Sequence, residues 1–115
     1  MLQQLTRALI EECDTCIARF WHMRDEDRKP NFFEEVKPHA DQWHRIVADW
    51  QQHAYVFIEQ ERPKYMHTMQ VDNAKEAFEQ FVVQSFYKET SKKRFEQSVL
   101  STKYTFTSFL AYLED

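Results

Sequence analysis

Glycine is absent from this chain, although an average domain uses it at roughly 7%. Glycine supplies the positive-φ positions on which hairpins and tight turns depend. A β-rich fold is therefore disfavoured, and every glycine-rich phosphate loop is excluded. Proline occurs three times and cysteine twice. Long apolar runs are missing as well. Met1-Leu2-Gln3-Gln4-Leu5-Thr6-Arg7 leads quickly to Glu11 and Glu12, which fits neither a signal peptide nor a membrane span. Two cysteines without a secretory signal point to the reducing cytoplasm. Positive charge is in deficit: 19 acidic against 15 basic residues give a net charge of −4. That balance disfavours polyanions, so neither nucleic acid nor a membrane surface is expected as a partner.

What remains is a chain of 115 residues with 43% hydrophobic and 16% aromatic residues. That is enough for one core and one domain, residues 1–115. The apolar residues recur at steps of three and four, which draw a stripe down a helix. The first stripe is Leu2, Leu5, Leu9, Cys13, Cys16, Phe20 and Met23, with Arg7, Glu11 and Asp14 opposite. A charged loop, Arg24 to Asn31, follows it. The second stripe is Val36, Ala40, Trp43, Val47, Trp50, Ala54 and Phe57. Asn31 is its expected cap, with Glu34 at the third helical position. Pro38 either kinks this helix or marks a fresh start, and Pro63 ends it by Arg62.

A third stripe runs through Val71, Ala74, Phe78, Phe81 and Ser85, with Thr68 or Asp72 as cap. A fourth runs through Phe95, Val99, Thr102, Phe106, Phe109 and Leu113, capped by Thr90 or Ser91. Four amphipathic helices joined by short loops predict an all-α, up-down-up-down four-helix bundle.

The stretches Phe33-Glu34-Glu35-Val36-Lys37-Pro38, Glu61-Arg62-Pro63-Lys64-Tyr65 and Lys92-Lys93-Arg94-Phe95 resemble the YppE-like family of small bacterial proteins. The resemblance covers most of the chain. It implies a compact helical bundle in a cytoplasmic protein, and it implies neither an activity nor any site residue.

Candidate chemistry is sparse. Cys13-Asp14-Thr15-Cys16 is a CxxC, but it lies mid-helix on the apolar stripe with no strand before it. A redox pair needs a helix N-terminus to lower its thiol pKa, so core packing is the simpler reading. Bundles can hold two metals through paired Glu-x-x-His motifs. Asp41-Gln42-Trp43-His44 is the nearest match and occurs once. His22, His44 and His53 suggest a three-histidine metal site, against solvated or edge histidines. Glu11-Glu12 and Glu34-Glu35 read as solvated faces or first-turn charges. No nucleophile sits in a strained, glycine-flanked elbow. No metal, cofactor or catalytic residue is assigned, and a non-enzymatic role is expected.

Two features remain unexplained by a core. Lys92, Lys93 and Arg94 occupy the first turn of the last helix, where the macrodipole disfavours cations. With Lys88 they make a basic spot suited to an acidic or phosphate-bearing partner, or they are simply exposed side chains. From Gln97 to Leu113 the only charge is Lys103. Beside the core stripe runs Ser98, Ser101, Thr105, Ser108 and Tyr112, and Leu100, Tyr104, Thr107 and Ala111 fall opposite the core. A helix without a charged face is usually covered on more than one side. Its cover is either another chain or residues 24–38 or 62–70 folded over it. The expected surface is Leu100, Tyr104, Thr107, Ser108, Ala111 and Tyr112, with Lys92, Lys93 and Arg94. The leading expectation is a protein-interaction module with a protein partner or as a homodimer. The rival is a metal- or small-ligand-binding bundle using histidines near Trp43 and Trp50.

Overall fold

A computed structural model gives the fold. Residues 1–114 are described; Asp115, the last residue of the expected domain, lies outside them. The described residues form α1 (Leu2–Asp25), a π-helical turn (Phe32–Val36), α2 (Lys37–Glu61), α3 (Thr68–Gln84) and α4 (Lys92–Glu114). Each helix coincides with one of the four apolar stripes.

Cross-helix contacts fix the topology. Thr6 meets Trp50 while Glu12 meets His39, so α1 and α2 run oppositely. His44 reaches the Glu79 carbonyl and Gln51 reaches Asp72, so α2 and α3 do too. Phe78 packs on Phe106 and Phe81 on Phe95, which turns α4 against α3. Arg7 pairs with Glu114 and Asp14 with Lys103, which closes the ring from α4 to α1. The result is an antiparallel four-helix bundle of up-down-up-down order, as the loop lengths imply.

The core is aromatic. Trp50 is fully buried, edge-on to Phe106 at 5.0 Å and beside Phe109 at 5.6 Å. Phe20 stacks on Phe95 at 4.5 Å. The Trp50 indole N–H donates to Thr6 Oγ1 at 3.0 Å, and that hydroxyl donates to the Leu2 carbonyl at 2.8 Å. The one polar atom of the largest core residue is thereby satisfied.

Three local expectations are settled or corrected. Asn31 Oδ1 accepts from the Glu34 N–H at 3.0 Å, as a cap should. The reciprocal carboxylate is Glu35, which accepts from the Asn31 N–H at 3.2 Å. Glu34 was the expected partner; the first turn is π-helical and one residue wider, which moves the role along by one. That wide turn ends just before Pro38, where it accommodates the missing N–H and the ring. Regular α-helix begins at Lys37 and puts Pro38 in its first turn, which is the fresh start offered as one of the two alternatives. At α3, neither Thr68 nor Asp72 is the cap. His67 holds that place in extended geometry, and its N–H donates to Gln70 Oε1 at 2.7 Å. At the end of α2, Arg62 takes the left-handed conformation (φ 47°) that other chains give to glycine.

Candidate functional site

From Gln97 to Leu113 the outer face of α4 is free of charge, because the one cation of that stretch is drawn aside. Lys103 Nζ reaches Asp14 Oδ1 of α1 at 2.6 Å. Leu100 and Tyr104 remain 56% and 73% exposed, with exposed Thr107 and Ala111 one turn further on. Ser108 and Tyr112 lie half-buried on the side towards α3. Of the segments offered as intramolecular cover, 24–38 leaves this face open and 62–70 meets only its far end. Arg24 reaches only the Lys88 and Thr90 carbonyls before α4. Tyr65 donates its N–H to the Tyr112 hydroxyl at 3.2 Å, near the far end of the helix.

Lys92, Lys93 and Arg94 are all exposed. Lys92 Nζ sits 4.9 Å from the centre of the Trp21 ring. Lys88 pairs with Asp27, a hydrogen bond that pushes the lysine above its ordinary range. Lys93 and Ser108 are separated by about 22 Å of helix. The residues expected to form one surface therefore divide into a basic end and an aromatic end.

The aromatic end is concave. Tyr65, Met66, Gln70, Tyr104, Thr105, Ser108 and Tyr112 line a cleft of about 400 Å³ between the loop after α2, the start of α3 and the end of α4. Tyr65 is 68% exposed at its rim, and Met66 is buried. A second hollow, of about 300 Å³, continues from it along the α3–α4 seam and shares Gln70 and Thr105. Its lining is Gln, Asn, Ala, Ser and Thr, with no ionised side chain. Sequence reasoning found the α4 wall and offered residues 62–70 as its cover without singling out Tyr65 or Gln70. A loop residue and a capping residue carry no periodic signal.

A second polar constellation lies inside the bundle. Glu12 is 4% exposed, which corrects its reading as a solvated acid. Its Oε2 lies 2.7 Å from His39 Nε2, 3.5 Å from Arg19 Nη1 and 3.6 Å from Cys16 Sγ, and the same His39 nitrogen lies 3.1 Å from Arg19 Nη2. Arg19 also donates to Ser85 Oγ at 2.9 Å and lies over the Phe86 ring at 4.5 Å. The Ser85 hydroxyl donates in turn to the Val82 carbonyl at 2.7 Å. One buried carboxylate thus ties α1 to α2, and its arginine ties α1 to α3. His39 is accordingly a structural partner and not simply a solvated side chain. The signal in sequence was Glu12 and Arg19 seven residues apart, flanking the cysteine stripe.

The remaining histidines do not converge. His44 Nε2 donates to the Glu79 carbonyl at 3.0 Å, His53 leans on Asp49 at 3.5 Å, and His22 is exposed. Asp41 pairs with Lys37 at 2.7 Å, whose hydrogen bond holds the carboxyl below its usual range. Among the described residues, no three His, Cys, Asp or Glu side chains gather closely enough to hold a metal. Cys13 and Cys16 are fully buried free thiols. Burial, with Glu12 adding to it, pushes the Cys16 thiol up to about 12, and burial raises Cys13 as well. A thiolate nucleophile needs the opposite shift. No helix among the described residues is long and apolar enough to cross a membrane.

Comparison with known proteins agrees with this architecture. The chain is 31% identical over 104 residues to the uncharacterised protein YppE of Bacillus subtilis (strain 168), covering 90% of this chain and 85% of that one. The crystal structure of B. subtilis YppE superposes with a TM-score of 0.88 at 30% identity, over 93% of this chain and 87% of that one. A Listeria innocua protein of unknown function superposes with a TM-score of 0.90 at 27% identity, over 98% and 93% of the two chains. Residues 6–113 match the model of a bacterial domain of unknown function, DUF1798, and the chain belongs to that family.

Proposed function

We propose that this protein is a non-enzymatic interaction module whose docking surface is the outer face of α4. The observation that carries the reading is the diversion of Lys103 to Asp14, which leaves Leu100 and Tyr104 exposed on a face without charge. Exposed aromatic and aliphatic groups on an uncharged face are what a protein contact desolvates at least cost. The interior supports a structural and not a chemical role. Its polar groups satisfy one another, and its thiols are held protonated. We place the module in the cytoplasm, a reading supported by two unpaired cysteines.

The test is site-specific photo-crosslinking in cells, with p-benzoylphenylalanine in place of Leu100 and, as a control, of exposed Gln52 on α2. A defined adduct at Leu100 alone is expected, and Tyr104→Glu should abolish it. Tyr104→Glu should change stability by no more than about 0.5 kcal/mol, because the side chain is exposed. Sedimentation of the purified protein then distinguishes a second copy from a different chain. Equal labelling from both positions, or unfolding by Tyr104→Glu, overturns the reading.

A further inference from the structure

We propose that the tyrosine cleft at the end of α4 receives an extended, proline-containing segment of a partner protein. This rests on the interaction reading and names the partner chemistry of the same surface. The argument is one of hydrogen-bond polarity. Tyr112 accepts the Tyr65 N–H through its oxygen, so its own hydroxyl proton is left to donate. Gln70 accepts the His67 N–H through Oε1, which fixes the orientation of the amide and leaves its NH₂ free. Among the described residues, neither donor has an acceptor. Both are held by backbone contacts before any occupant arrives.

The occupant must therefore bring acceptors. The walls of the cleft carry no cationic side chain, and Lys64 stands at the rim over the Tyr65 ring, outside the lining; the acceptors those walls suit are neutral carbonyl oxygens. The exposed Tyr104 ring, and the face of Tyr65 turned away from Lys64, whose Nζ sits 5.3 Å from that ring's centre, offer flat apolar surfaces. Backbone carbonyls that lack internal partners, together with flat rings, are the properties of a polyproline II segment. Its chain makes no hydrogen bonds to itself and loses little entropy on docking. The neutral seam between α3 and α4 continues the cleft through Gln70 and Thr105, which gives an extended chain a path.

The test is titration of the ¹⁵N-labelled protein with acetyl-hexaproline-amide, with a Gly-Ser hexapeptide as control. The expected result is saturable shifts confined to Tyr65, Gln70, Tyr104, Tyr112 and their neighbours, with no response to Gly-Ser. Tyr104→Ala should weaken the binding about tenfold. Tyr112→Phe removes the donated proton and should weaken it too, with the bundle spectrum retained. Absence of shifts with hexaproline overturns the proposal, as does an equal response to both peptides. The Leu100 crosslink separates the two failures: an adduct without a hexaproline response leaves the interaction surface standing and removes only this choice of partner.

Discussion

Removing the buried carboxylate is the sharpest test of how this bundle is held together. In Glu12→Ala the Arg19 guanidinium, with a side chain only 15% exposed, keeps Ser85 and Phe86 but loses its counter-charge. His39 loses the carboxylate it meets at 2.7 Å. Breaking a buried ion pair by deleting one partner costs about 3–5 kcal/mol, because the other charge is left uncompensated. The lower end applies here, since Ser85 still accepts from Arg19 and His39 retains some access to water. About 3 kcal/mol is a large share of the roughly 5–15 kcal/mol that holds a domain folded. For a chain of this size it lowers Tm by about 10–15 °C. Urea unfolding followed by far-ultraviolet circular dichroism measures it. A loss below about 1 kcal/mol would refute the reasoning. The converse isolates the cause: Glu12→Leu, Arg19→Met and His39→Phe together replace the network with apolar groups of similar volume. The triple variant should recover most of the loss, and one that stays as unstable as Glu12→Ala would show that shape, not stranded charge, was decisive.

Other consequences follow from the same interior. Thr6→Val leaves the buried Trp50 N–H without its acceptor and should cost about 2 kcal/mol; Thr6→Ser should keep most of it, with tryptophan fluorescence reporting both melts. The Cys16 thiol stands at about 12 in the fold against an ordinary 9.0. Between those values the unfolded chain has lost a proton that the folded chain keeps. Stability is therefore undiminished below about pH 9 and falls above it by about 1.4 kcal/mol per pH unit for each such thiol. Replacing both cysteines with alanine should flatten that alkaline limb, and a limb unchanged by the replacement would show that the thiols do not cause it.

The apolar stripes made the four helices legible because each stripe needs only its own helix to be read. Leu9, Cys13, Cys16 and Phe20 are buried together whichever neighbour covers them. Glu12 was not legible because its burial depends on His39 of α2 and on an arginine held by Ser85, which caps the end of α3. Arg19 lies two turns along the same helix, but His39 and Ser85 are distant in sequence and no period connects them to Glu12. The cleft was half legible for the same reason: Tyr104, Ser108 and Tyr112 lie on a helical repeat, whereas Tyr65 and Gln70 are placed by a loop and a cap. Lys103 is the instructive case. In sequence it interrupts an otherwise neutral face, and only the bundle shows Asp14 drawing it away. The buried polar network joins α1, α2 and α3, and α4 is held by Phe95, Phe106 and Phe109 with ion pairs at its edge. Nothing on the outer face of α4 takes part in either. Substitutions at Leu100 or Tyr104 can therefore test the proposed contact without loosening the fold, and substitutions at Glu12 or Arg19 test the fold without touching that face. The bundle keeps its stability and its candidate contact surface on different residues, so the two can be tested independently.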